Sequence, residues 1–260
     1  MNDTITLFDA HSSTLTHILF DEGSREAAIV DPVDTQIERD LAVLADRQLQ
    51  LKWVLETHAH ADHVTAAGKL AARTGASTAV PAYCGIQQAT RQLEDGDTLS
   101  LGNRAIRAIH TPGHTAGSMC FRWGNAVLTG DTLLIGGCGR TDFQSGNAGA
   151  LYDSITQKLF TLPDTTRVLP GHDYHGNTES TIGAEKQSNP RLAGKTREEF
   201  INLMNDLHLA PPKMIEVAVP ANLHLGALPD DVIQPMPDYA GNVSLSTAHR
   251  WWREGRVVMV

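Results

Sequence analysis

The run Thr57-His58-Ala59-His60-Ala61-Asp62-His63 constrains this chain more than any other stretch of it. Three imidazoles and a carboxylate fall within six positions, and buried polar groups at that density need shared partners rather than packing. Imidazole and carboxylate together suit zinc, iron or manganese, whereas calcium and magnesium favour all-oxygen sites. The preceding segment 51–57 reads as a buried strand, which puts the cluster on a loop at a strand end. Any fold for the chain must bring further ligands to that strand end.

Three later segments offer them. In HTPGHTAGS (110–118), Pro112 and Gly113 make a tight turn that presents His114, while His110 at the strand end reads as structural. In LTGD (128–131) an apolar strand runs through a glycine to Asp131, and in PGHDYHG (170–176) another runs to His172. Seven of the twelve histidines lie in these clusters, so a polar loop with chance histidines is the poorer reading.

The rest of the pattern indicates a layered α/β fold. Residues 14–32 read as two strands around a turn at 21–24, and 104–110, 118–123, 126–129 and 167–170 as further strands. Helices are expected over 35–49, 64–74, 148–160 and 196–208. Strands in adjacent pairs, as well as alternating with helices, fit layered sheets better than a doubly wound parallel sheet. The expected organisation is one domain over 1–226 and a Pro- and Asp-rich extension over 227–260, packed on the body through Trp251 and Trp252.

Charge narrows the partners. A formal net charge of −9 with no run of Lys or Arg argues against nucleic acid, against an anionic membrane, and so against a nuclease. An anionic small substrate would need a local basic pocket. The start of the chain lacks the basic and apolar run of a secretory signal, and no stretch approaches the roughly 18 apolar residues of a membrane helix. Three cysteines, Cys84, Cys120 and Cys138, without C-x-x-C spacing suggest a reducing compartment, and a cytoplasmic location is expected. Cys120 reads as core and Cys138 as a small packing residue.

Taken in order, His-x-His-x-Asp-His, His, Asp and His resemble the metallo-β-lactamase superfamily over about residues 14–225. That resemblance implies an αβ/βα sandwich, two mixed sheets flanked by helices, with metal at one edge. Within the superfamily, GGCGRTDFQSG (136–146), GHDYHG (171–176), TIGAEKQSNPRL (181–192) and AVPANLHLG (218–226) resemble the persulfide dioxygenases.

This second resemblance implies oxidation of glutathione persulfide by O₂ and water to sulfite and glutathione, a step of sulfur metabolism and hydrogen sulfide detoxification. It implies one Fe(II) per chain on His58, His114 and Asp131, with His60, Asp62, His63 and His172 as supporting groups or as ligands of a second metal. Two histidines and a carboxylate leave open positions, the pattern of non-haem iron oxygenases. A glyoxalase II-like hydroxyacylglutathione hydrolase with one or two metals needs the same ligands and is the alternative. A non-catalytic metal protein would be expected to close its coordination shell.

Arg140 can either meet the substrate carboxylates or pair with Asp142 and shape its loop. Tyr174 can either reach substrate or pack. Lys186 and Arg191 are weaker pocket candidates. A homodimer is compatible with the resemblance, and any sulfurtransferase partner would be a separate chain.

Overall fold

The computed structural model describes residues 3–227, so the extension 227–260 with Trp251 and Trp252 lies, beyond Ala227, outside the described residues. In the first half the chain forms β1 (Thr4–Asp9), β2 (Thr14–Phe20), β3 (Glu26–Val30), α1 (Ile37–Asp46), β4 (Gln50–Leu55), α2 (Ala67–Thr74), β5 (Ser77–Pro81) and β6 (Arg91–Leu93). The second half adds β7 (Thr98–Leu101), β8 (Arg104–His110), β9 (Met119–Trp123), β10 (Ala126–Gly130), α3 (Ala148–Ser154), β11 (Arg167–Pro170), β12 (Ser180–Thr181), α4 (Ile182–Ser188), α5 (Arg197–Asn205) and α6 (Ile215–Asn222).

These strands make two six-stranded sheets, ordered β1 to β6 and β12 to β7. Both are mixed, with β3, β4, β5 and β6 parallel in the first sheet and β10 parallel to β11 in the second. Alternation along the strands builds three apolar layers. Leu19, Ala28 and Leu55 face Phe121, Trp123 and Leu128 between the sheets. On the outer face of the first sheet, Ile18, Ile29 and Val54 pack on Ile37, Leu44 and Leu70 of α1 and α2. On that of the second, Cys120, Val127 and Val168 pack on Leu151 of α3 and Phe200 and Met204 of α5. This is the expected αβ/βα sandwich, with Cys120 and Cys138 in the core.

Local signals explain the element ends. Thr196 and Glu199 form a capping box, so α5 begins at Arg197, just inside the expected 196–208. Asn147 caps α3, which continues as a π-helical turn over Ile155–Leu159. The helix expected over 64–74 starts later, because Thr65 N and Ala66 N are drawn to Asn222 and Pro32 by tertiary hydrogen bonds. Strands β1, β5, β6, β7 and β12 and helices α4 and α6 were not expected. Several are four residues or fewer, and Pro220 inside α6 argues locally against a helix.

What matters for the site is the edge where strands β3, β4, β10 and β11 end. Hydrogen bonds from Met119 N to Thr57 O (2.9 Å) and from Leu15 N to Gly171 O (2.8 Å) tie the sheets together there.

Candidate metal centre

Asp31 follows β3, His58 follows β4, His114 lies in the turn after β8, Asp131 follows β10 and His172 follows β11. The strand ends therefore converge on one edge. One potential ligand atom from each of His58, His114 and Asp131 lies within 4.8 Å of the others. The His58 and His114 rings meet edge to face at 4.9 Å, and His114 Nε2 is 3.7 Å from Asp131 Oδ2.

Neighbouring groups set the tautomers. Thr57 donates to Asp31 through both its backbone N (2.7 Å) and its Oγ1 (2.8 Å). With its proton committed, Thr57 Oγ1 accepts from His58 Nδ1 at 2.9 Å, which leaves the Nε2 lone pair for a metal. His114 Nδ1 donates to Arg140 O at 2.7 Å, with the same consequence. Two glycines allow this closeness. Gly130 has φ of +48° and a Cβ there would lie 2.5 Å from Thr57 Oγ1; a Cβ on Gly139 would lie 2.8 Å from His114 Nδ1.

Beside this face, His60, Asp62, His63 and His172 form a second cluster with ligand atoms within 4.8 Å. His172 donates from Nδ1 to Asp131 Oδ1 (2.6 Å) and from Nε2 to Asp62 Oδ2 (2.9 Å). His63 Nδ1 donates to the same Asp62 oxygen at 3.0 Å. His60 Nε2 lies 3.1 Å from Asp31 Oδ1 and 3.5 Å from Glu56 Oε2. His60 Nδ1 and His63 Nε2 are buried without a hydrogen-bond partner, the kind of orphan that a metal or bound water satisfies.

The electrostatics follow from burial and pairing. Burial disfavours charge on His172, but Asp131 and Asp62 on its two nitrogens outweigh it and hold its pKa well above the imidazole range. Burial pushes Asp131 up, yet His172, His114 and His58 keep it below the usual carboxylate range. His58 is held well below the imidazole range by burial and by its histidine neighbours, in the neutral form that a metal would require. His60 loses by burial but is pushed up to about 10 by Asp31 and Glu56.

Arg140 adopts the loop-shaping arrangement of its two expected ones. Nε and Nη2 fork onto Asp142 at 2.7 and 2.6 Å, and Nη1 and Nη2 also donate to Ala210 O and Leu209 O. Tyr174 is 68% exposed and stacks in parallel with His172, ring centres 6.4 Å apart, so it borders the cluster without being packed away. Lys186 pairs with Asp164, and Arg191 donates to Cys138 O at 2.6 Å. His110 is structural: its Nε2 bonds Ala116 O.

Sequence reading missed Asp31, Thr57, Glu56, Gln144 and Asn222. Asp31 closes the strand IVDP and Glu56 and Thr57 adjoin the histidines, so position gave some signal for these three. Gln144, whose Nε2 donates to Ala59 O at 3.1 Å, and Asn222 lie in the segments 136–146 and 218–226 that carried the resemblance, but their roles were not legible because their partners are far away in the chain.

The family model of the metallo-beta-lactamase superfamily matches residues 15–83 and 86–172, and the chain belongs to that superfamily. Within it, the chain is 42% identical to the mitochondrial persulfide dioxygenase ETHE1 of Homo sapiens over 222 residues, covering 85% of this chain and 87% of the relative. A crystal structure of ETHE1 from Myxococcus xanthus superposes with a TM-score of 0.85 at 49% identity, covering 86% of this chain and 99% of that one. TTHA1623, crystallised in a di-iron-bound form, matches with a TM-score of 0.63 at 26% identity, covering 72% of this chain and all (100%) of its own.

Proposed function

We propose that the chain is a persulfide dioxygenase that uses one Fe(II) held by His58, His114 and Asp131. The observation that carries this reading is the division of labour at Asp131. Its Oδ1 is taken by His172 at 2.6 Å, leaving Oδ2 to join the two histidines in a face with open positions. Similarity to the persulfide dioxygenases supports the substrate class. Iron, when bound, supplies the redox chemistry and open positions for both reactants that no side chain here provides.

The overall reaction is glutathione persulfide plus O₂ plus water giving glutathione and sulfurous acid, which ionises to sulfite. The outer sulfur is oxidised and O₂ is reduced. The protein's own contribution is to fix His58 through Thr57 and Asp31, His114 through Arg140 O, and Asp131 through His172. Arg140 serves this reading through its loop, since four of its five N–H donors are taken by Asp142 and two carbonyls.

A cytoplasmic enzyme fits three cysteines that are all free, and no helix among the described residues is long and apolar enough to cross a membrane. A homodimer and a separate sulfurtransferase supplying persulfide belong to the same proposal. The second reading, a two-metal hydrolase of glyoxalase II type, is favoured by the orphaned His60 Nδ1 and His63 Nε2.

Anaerobic purification with metal analysis, followed by an oxygen-electrode assay with glutathione persulfide and a sulfite determination, tests the proposal. Oxygen uptake matched by sulfite is expected. Hydrolysis of S-lactoylglutathione without oxygen uptake overturns it in favour of the hydrolase.

A further inference from the structure

Asn222, the last residue of α6, is 1% exposed and spends its side chain on one distant loop. Its Nδ2 donates to His60 O at 2.9 Å and to His63 O at 2.8 Å, and its Oδ1 accepts from Thr65 N at 2.8 Å. One amide thus fixes three peptide units of the segment that carries His60, Asp62 and His63. The helix end is itself anchored. Leu225 and Leu223 pack with the cluster under α1 and α2, and Gly68 N of α2 donates to Leu225 O at 2.9 Å.

The clamped loop connects to the proposed metal ligands through an unbroken series of side-chain hydrogen bonds. His63 Nδ1 meets Asp62 Oδ2 at 3.0 Å, the same oxygen accepts from His172 Nε2 at 2.9 Å, and His172 Nδ1 meets Asp131 Oδ1 at 2.6 Å. A buried amide that merely satisfied a loop could bond any backbone groups. This one bonds the carbonyls of two residues whose imidazoles both belong to the second cluster, and whose His60 Nδ1 and His63 Nε2 atoms are buried with no hydrogen-bond partner to hold them.

We infer that Asn222 is a positioning residue of the metal centre: through the His60–His63 turn it sets where Asp62 and His172 stand, and hence how Asp131 is presented to the metal. Loss of its two donated bonds leaves buried carbonyls that turn toward other donors, rotating the peptide units that carry His60 and His63. The inference rests on Asp131 being a metal ligand and is independent of the reaction catalysed.

The test uses the full chain loaded with Co(II), whose visible ligand-field bands report ligand geometry, together with the rate at which EDTA strips the metal. Asn222→Ala is compared with wild type, with Asp131→Ala, and with Phe200→Leu, which opens a cavity among Leu151, Ile155 and Met204 away from the loop. Shifted bands and stripping faster by about 10-fold or more are expected for Asn222→Ala, with Phe200→Leu lowering Tm but leaving both readouts unchanged. If Asn222→Ala fails to fold, Asn222→Ser, whose neutral hydroxyl can serve only one of the three backbone groups, replaces it with the same expected shifts. Wild-type bands and stripping rate in the Asn222 variants, beside a lowered Tm, overturn the inference. Wild-type bands in Asp131→Ala overturn the ligand assignment instead.

Discussion

The imidazole of His172 holds Asp131 by one oxygen, Nδ1 to Oδ1 at 2.6 Å, and leaves the other oxygen 3.7 Å from His114 Nε2. A carboxylate tethered in this way keeps its other oxygen free for metal, while both nitrogens of His172 are already engaged, by Asp131 and by Asp62. A second metal drawing on His172 would have to break one of those bonds, which favours a single metal, although four further side chains stand beside it.

Metal analysis should accordingly find close to one iron per chain. His58→Ala, His114→Ala and Asp131→Ala each leave two protein ligands, too few to hold Fe(II) against water, and each should abolish iron binding. His63→Ala and His172→Ala should keep most of the iron and lose activity by about 10–100-fold, the usual scale for groups that orient ligands. Two irons in wild type, one of them released by His63→Ala or His172→Ala, would establish the two-metal reading.

Thr57 links Asp31 to His58, so removing its hydroxyl should loosen a proposed ligand without touching it. Thr57→Val is expected to weaken metal binding by about 10–100-fold and to leave Asp31 Oδ2 short of a buried donor, at roughly 1–3 kcal/mol of stability. Thr57→Ser keeps the hydroxyl and should restore the metal affinity. Equal affinity in Val and Ser variants, read by competition with a chelating dye, would remove Thr57 from the ligand-orienting set.

Arg140→Ala should lower Tm, because the variant frees Asp142 and the carbonyls of Leu209 and Ala210 together. Loosening the loop that supplies the carbonyl for His114 Nδ1 should also lower kcat. A higher KM for glutathione persulfide with unchanged kcat and Tm would mean that Arg140 exchanges Asp142 for the substrate carboxylate.

A stability change with pH is expected from Asp40 in α1, far from the proposed metal ligands in the chain. Its carboxyl is buried, Oδ1 pairs with Arg39 at 2.8 Å, and Oδ2 has no partner. Burial outweighs the Arg39 pair and raises its pKa from 3.8 to about 6. A carboxyl with a raised folded pKa favours the folded state in its protonated form, so its contribution is full below pH 3.8 and is lost as pH climbs through 6. The loss is on the order of 2–3 kcal/mol. Asp40→Asn should therefore raise Tm above pH 6 and converge with wild type below pH 4. A Tm difference that does not vary over this range would show that the Arg39 pair compensates the burial.

The superfamily and the residues gathered at the metal edge were legible in the sequence because both are written in short-range chemistry. The histidine run follows a buried strand, Pro112-Gly113 turns His114 inward, and Gly130 lets Asp131 leave its strand where only a glycine fits beside Thr57. Helix α5 announced itself through Thr196 and Glu199, three residues apart. Strands β6 and β12 carried too few residues to show alternation, and α6 was hidden by Pro220.

Tertiary structure alone decided which partner each polar group takes. Asp31 reaches Thr57 across 26 positions, His172 reaches Asp131 across 41, Arg140 reaches Leu209 across 69, and Asn222 reaches His60 across 162. A side chain's identity fixes what it can donate or accept, but a hydrogen bond is directional and a few ångströms long. Its partner is chosen only when two sheets and their helices have packed closely enough to bring remote loops to the same edge.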